Sequence, residues 1–155
     1  MKEKIISKSE DLFLTLGFKN VTMDDIASAL GISKKTIYTN FSNKTELVRA
    51  VTFSILEHIY KGIEQINKNS INPIEELYDI KMFLINYLKN ERMSAQYQLK
   101  KYYPKIYDEL QVKKFQKMHS SVEDSLKKGV ELKLFRPEID IAFISRVYFI
   151  GMTGI

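Results

Sequence analysis

The chain has no cysteine, six glycines, three prolines and two histidines in its 155 residues, and each scarcity excludes something. Without cysteine there is neither a disulfide nor a thiolate metal site, which fits a reducing cytoplasm. His58 and His119 fall in different predicted helices, with no Glu-x-x-His or His-x-x-x-His spacing near them, so no metal centre is expected. No glycine-rich phosphate loop and no nucleophile elbow is written in the chain. The paired acids Asp24-Asp25, Glu75-Glu76, Asp108-Glu109 and Glu123-Asp124 are sequence neighbours. On a helix such neighbours point apart and cannot form a catalytic dyad. No catalytic residue and no cofactor is expected. The N-terminus, Met1-Lys2-Glu3-Lys4-Ile5-Ile6, is charged and lacks the apolar run of a signal peptide. No window approaches the ~18 uncharged apolar residues that span a bilayer. A cytoplasmic protein without a membrane partner is expected.

At 45% hydrophobic residues the chain can bury one core and a small satellite. Its 24 basic residues outnumber 19 acidic ones, and the net charge of +5 favours a polyanionic partner. Residues 1–49 hold eight basic and six acidic residues, so the placement of the cations is more informative than their sum. With glycine and proline so few, helices are predicted nearly everywhere, and the fold class is all-α. The first helix runs over Lys2 to Leu16, burying Ile5, Ser9, Leu12, Phe13 and Leu16, and closes at Gly17. A long fourth helix, capped by Ser42 and reaching about Asn67, carries the stripe Leu47, Val48, Val51, Ile55, Ile59, Ile63 and Ile66. The loop 67–73 follows, and Pro73 opens a fifth helix to about Lys89. That helix is apolar on two sides, Ile74, Leu77, Leu84 and Leu88 against Ile80, Phe83 and Tyr87, as suits a central helix. A sixth helix spans about Met93 to Tyr102. Pro104 opens a seventh through Leu110, Phe115, Met118, Val122 and Leu126. An eighth starts near Asp140.

Residues 22–47 are the most informative stretch. Thr22 can cap a second helix, with Asp25 completing an acidic capping box. Ile26, Ala27 and Leu30 fall on one face of it, and Gly31 ends it where a left-handed residue is cheapest, with Ile32 plugging the corner. Ser33 caps a third helix that tucks Ile37 and Phe41 inward and presents Lys34, Lys35, Thr36, Tyr38, Thr39 and Asn40. Those six positions carry no acid, whereas a merely solvated helix face usually mixes both signs. Cations, hydroxyls and amides on an apolar-backed short helix suit a DNA groove.

Leu12-Phe13, Gly17-Phe18, Thr22, Ile26-Ala27, Gly31-Ile32-Ser33, Ile37-Tyr38, Phe41, Lys44 and Leu47 together resemble the DNA-binding domain of the TetR family of bacterial transcriptional regulators. The resemblance covers the first third of the chain. Beyond it, only the helical layout and the loop Leu134-Phe135-Arg136-Pro137-Glu138-Ile139-Asp140 are similar. Many members carry a glycine before that loop's apolar pair, where this chain has Lys133. The resemblance implies a three-helix helix-turn-helix domain over residues 1–46. A larger helical ligand-binding and dimerisation domain would follow over residues 47–155. It implies a repressor released from a palindromic operator by a small-molecule effector.

Lys34 and Lys35, at the leading end of the recognition helix, can donate to guanine or neutralise phosphate, and Thr36 offers a hydroxyl and a methyl. By resemblance, Tyr38 and Asn40 are backbone contacts and Thr39 the more variable reader. Lys44 and Thr22 sit where a helix N-terminus can help to hold phosphate. Candidate effector contacts in the body are Phe83, Tyr87, Tyr97, Tyr102, Tyr103, Tyr107, Phe115 and Met118, although aromatics at helical spacing are more often core. The run Lys100-Lys101-Tyr102-Tyr103-Pro104-Lys105 suits an anionic or acyl ligand, or an exposed helix junction. The last helix has two apolar stripes, one of Ile141, Ile144, Tyr148, Met152 and Ile155, the other of Phe143, Val147 and Ile150 towards Gly154. The second stripe calls for a partner, and a homodimer through the C-terminal helices is expected. The chain stops at Ile155 without the family's final helix, and a truncated sequence is the expected reason. The rival reading is a helical protein-interaction or lipid-binding module whose hairpin never meets DNA.

Overall fold

The computed structural model describes residues 1–70, 72–88 and 92–153, with the backbone alone at positions 88, 92–94, 152 and 153. The described residues form helices α1 (Lys2–Leu16), α2 (Met23–Leu30), α3 (Lys34–Asn40), α4 (Lys44–Asn69), α5 (Pro73–Leu88), α6 (Arg92–Tyr102), α7 (Pro104–Glu131) and α8 (Ile141–Thr153). The side-chain expectations for Leu88, Met152, Gly154 and Ile155, and the expected end of the fifth helix at Lys89, lie outside the described residues. None of the described helices is long and apolar enough to cross a membrane.

Packing divides the chain into two compact units, Met1–His58 with Leu88–Leu110, and Ile59–Tyr87 with Gln111–Ile155. In the first unit Ile5, Phe13, Phe18, Val21, Ile26, Ile37, Phe41, Leu47, Val48 and Val51 are each no more than 3% exposed. Burying one such side chain is worth about 1.5–3 kcal/mol, so this cluster fixes how α1, α2 and α3 meet. Phe13 and Phe18 stack with ring centroids 5.1 Å apart. Ala95 and Leu99 of α6 and Ile106 and Leu110 of α7 are buried as well. Leu16 is 53% exposed rather than buried. It shares the inward face of α1, but the chain turns away at Gly17 directly after it and leaves half of it in solvent.

Helix boundaries follow their chemistry. Thr22 and Asp25 form a complete capping box, and Gly31 closes α2 in the left-handed region at φ 63°. The Ile32 N–H then returns to the Ala27 carbonyl at 3.1 Å. At α4 the cap is Asn43 rather than Ser42, its Oδ1 accepting the Glu46 N–H at 2.9 Å. Ser42 instead donates both its N–H and its hydroxyl to the Glu46 carboxylate, each at 2.7 Å, because it stands one residue too early to meet the orphan amides of the first turn.

The second unit centres on Ile63, Ile80 and Leu84, with Ile59, Ile66, Phe83 and Met118 packed against them. Ile74, in the first turn of α5, is 53% exposed and does not join a buried stripe. A polar knot sits beside the apolar core: the Ser125 hydroxyl donates to the buried Glu76 carboxylate, which Lys128 approaches at 3.6 Å. After α7 the chain reverses through Lys133, which takes a left-handed φ of 59°. That is the position where the resemblance noted above has glycine. Asp140 Oδ1 then accepts the Phe143 N–H at 3.0 Å and opens α8. On α8, Phe143, Val147 and Ile150 are 63%, 50% and 49% exposed, so the second stripe lies on the surface of the chain.

Candidate nucleic-acid interface

Helix α3 is placed by its ends and its back. The Ser33 hydroxyl accepts the Thr36 N–H at 3.1 Å, fixing the first turn. Ile37, fully buried, anchors the middle, and Phe41 anchors the exit. Lys34, Lys35, Tyr38 and Thr39 are left exposed, and Thr36 and Asn40 half-buried. Tyr38 is 43% exposed, so its ring is not packed away as a core tyrosine would be.

Most of the polar atoms on this face are held in place. The Lys34 ammonium donates to Asp24 Oδ2 at 2.8 Å, and this bond raises its pKa above the ordinary lysine value. The Thr36 and Ser33 hydroxyls pair at 2.8 Å. Thr39 donates its hydroxyl to the Lys35 carbonyl at 2.8 Å, and Asn40 its amide to the Thr36 carbonyl at 2.8 Å. The threonine oxygens retain lone pairs, Asn40 retains its Oδ1 and its second amide hydrogen, and the Lys34 ammonium retains further donors. The Lys34–Asp24 pair was not legible in the sequence, because the partners are ten residues apart and meet only when α2 and α3 are folded together.

Two helix N-termini flank α3. At α2 the Thr22 hydroxyl donates to Asp25 Oδ2 at 2.8 Å and accepts the Asp25 N–H at 3.1 Å. The Thr22 N–H, which also donates to that carboxylate, and the Thr22 hydroxyl hold the Asp25 pKa below its ordinary value. At α4 the Lys44 ammonium donates to the Lys19 carbonyl at 3.3 Å. Partial burial lowers the Lys44 pKa, and Asp25 opposes that shift. Lys44 is thus a partly desolvated cation held at a helix N-terminus, where both its charge and the dipole attract an anion.

The eight candidate effector contacts divide evenly between the two units. Phe83 and Tyr87 have centroids 5.9 Å apart, and Phe83 and Met118 pack on the second unit's core. Phe115 meets Phe149 edge-on at 5.0 Å and His119 at 5.2 Å. Tyr97, Tyr102, Tyr103 and Tyr107 belong to the first unit, where Tyr103 meets Phe18 edge-on at 6.3 Å and burial raises its phenol pKa. Among the described residues no group of three or more histidine, aspartate or glutamate side chains could hold a metal ion.

Residues 5–51 match the profile of the family described as "Bacterial regulatory proteins, tetR family". The chain is 32% identical over 104 residues to the uncharacterised HTH-type transcriptional regulator YvaF of Bacillus subtilis, a match covering 66% of this chain and 54% of YvaF. It is 24% identical over 150 residues to the HTH-type transcriptional repressor KstR2 of Mycolicibacterium smegmatis, covering 94% of this chain and 72% of KstR2. Among solved structures, a TetR transcription regulator from Haloarcula marismortui shares the fold at a TM-score of 0.86 and 15% identity, over 99% of this chain and 82% of that one. The chain thus spans about half the length of YvaF. These relatives are transcriptional regulators, not enzymes. The helix-turn-helix geometry of residues 22–47, the profile match around it and the shared helical fold agree: residues 5–51 form a DNA-binding domain of the TetR family of bacterial transcriptional regulators, and the whole chain shares the helical fold of a TetR regulator.

Proposed function

We propose that this protein is a sequence-specific repressor that binds a palindromic operator as a homodimer and is released by a small-molecule effector. The carrying observation is the acid-free face of α3, capped by Ser33 and backed by fully buried Ile37. Lys34, Lys35 and Thr39 are assigned to base edges. Thr36 serves base or backbone, Tyr38 and Asn40 serve the backbone, and Lys44 and Thr22 serve phosphates at the two flanking helix N-termini. Lys34 exchanges Asp24 for the DNA on binding, and the Thr22 hydroxyl turns from Asp25 to phosphate. The exposed stripe Phe143, Val147 and Ile150 supports a second copy as the partner of α8. Phe83, Tyr87, Phe115 and Met118, which line the apolar part of the second unit, are the side chains we assign to the effector. Bacterial regulators of this kind act in the cytoplasm.

Selection from a random DNA pool at near-physiological salt tests the reading. An enriched palindrome with half-sites about one helical turn, 34–36 Å, apart is expected. Enrichment of single half-sites would remove the homodimer from the proposal. If a folded protein enriches nothing, the interaction-module reading takes its place.

A further inference from the structure

We infer that the C-terminal end of α6 is a second DNA-backbone contact, a strip of lysines and tyrosines that grips phosphates flanking the operator. The inference rests on the DNA-binding reading above and extends it beyond the helix-turn-helix.

Residues 95–105 hold three lysines, Lys100, Lys101 and Lys105, and no acid. All three are exposed, as is Lys19 in the turn between α1 and α2. Tyrosine rings hold the ammonium groups. Lys19 and Lys101 lie 5.4 and 5.5 Å from the centroid of the same Tyr102 ring. Lys101 is also 5.8 Å from the Tyr97 ring, and Lys100 is 5.7 Å from Tyr107. Tyr97 is 65% exposed, so its place is not explained by burial. Like charges gathered on shared rings repel one another, and an anion running past them relieves that repulsion. The acids that follow are Asp108 and Glu109, and Glu109 is engaged with Arg49 at 2.6 Å.

The strip is fixed relative to the reading head. Tyr102, Lys101 and Lys19 lie in the same compact unit as α3. Gln98 of α6 accepts the Lys19 N–H at 3.3 Å. Gly17 allows this approach, since a side-chain carbon at that position would stand 2.4 Å from the Gln98 amide nitrogen. Lys44, assigned to a phosphate, donates to the carbonyl of Lys19 itself. The cations therefore continue from Lys44 through Lys19 to Lys101 without leaving the unit. A duplex carries one phosphate per about 3.4 Å of axis on each strand, so a backbone that reaches Lys44 offers further phosphates along such a strip. Aromatic faces with interleaved lysines also suit an anionic lipid surface. Continuity with Lys44, in the compact unit that also holds the reading helix, favours the duplex.

The experiment uses the full chain and two duplexes: the selected operator trimmed to its outermost specified base pairs, and the same operator with arbitrary flanks. Wild type is expected to bind the flanked duplex more tightly and with a steeper dependence on salt. Lys100→Ala with Lys101→Ala should bring the flanked duplex down to the trimmed one. Its salt slope should fall by up to about 3.6, that is 0.9 for each of two lysines in two copies. Hydroxyl-radical protection outside the motif should vanish with it. Equal binding of both duplexes by wild type, or an unchanged slope in the double variant, overturns this inference alone. Failure of wild type to bind even the trimmed operator overturns the DNA reading with it. Loss of binding to anionic phospholipid vesicles, with DNA binding intact, assigns the strip to a membrane and also overturns it.

Discussion

Replacing Lys44 by glutamine removes a single charge at a cation that is half-buried where Lys34 and Lys35 are exposed. The wild-type ammonium is held by the Lys19 carbonyl at 3.3 Å, and a glutamine amide can still donate there while carrying no charge. The substitution therefore separates the electrostatic role from the structural one. Each phosphate contact contributes about 0.9 to the slope of log affinity against log salt. A palindrome bound by two copies loses two such contacts, and the slope should fall by about 1.8. Over a fourfold rise in salt, from about 50 to 200 mM, the wild type should then lose about 12-fold more affinity than the variant. Fluorescence anisotropy with a labelled operator at four or five salt concentrations reads the slope directly. Circular dichroism confirms that the helices remain. The loss should be the same for preferred and scrambled operators, since phosphate carries no base identity. An unchanged slope with reduced affinity would refute the phosphate assignment and leave Lys44 as a tie between α4 and the α1–α2 turn.

Ile37 is fully buried behind the recognition helix, so Ile37→Ala should cost about 2–5 kcal/mol; urea denaturation should show it as a lowered midpoint, with operator binding lost. Lys133→Gly relieves a left-handed lysine at φ 59°. Left-handed strain costs about 1–2 kcal/mol for such a residue, and the extra freedom of unfolded glycine returns part of it; a net gain of about 0.5–1 kcal/mol should appear as a raised melting temperature, and no gain would mean the turn is held by other contacts. Asp25 and Glu46 both have pKa values lowered by hydrogen bonds from Thr22 and Ser42. Their folded values lie below the unfolded ones, so their stabilisation is present above the ordinary carboxylate range of about 4 and is lost as pH falls through the folded values. Melting curves recorded from pH 6 to 3 should flatten in Asp25→Asn, and an identical pH profile would mean that the capping box does not couple to folding.

The chain's local chemistry determined its helices and the interior of the reading head. Thr22 with Asp25, Gly31 and Ser33 act on amides within a few residues. The apolar spacing of Ile26, Ala27, Ile37 and Phe41 selects one face at helical period. Such signals are short-range, and they reappear in the folded chain with little change. Where the signal depended on what stands opposite, the sequence could not supply it. Leu16 has the right period but is left half in solvent, and Ser42 has the right chemistry one position too early. The Lys133 backbone was readable only as a departure from a glycine, while its left-handed φ is set by the reversal from α7 towards α8. Only the tertiary structure decided that Lys34 meets Asp24, that Gln98 locks α6 against Gly17 and Lys19, and that the tyrosines of α6 share a unit with α3 rather than with Phe83 and Met118. These are pairings across the chain between groups with several acceptable partners, and which of them meet is settled by how the helices pack.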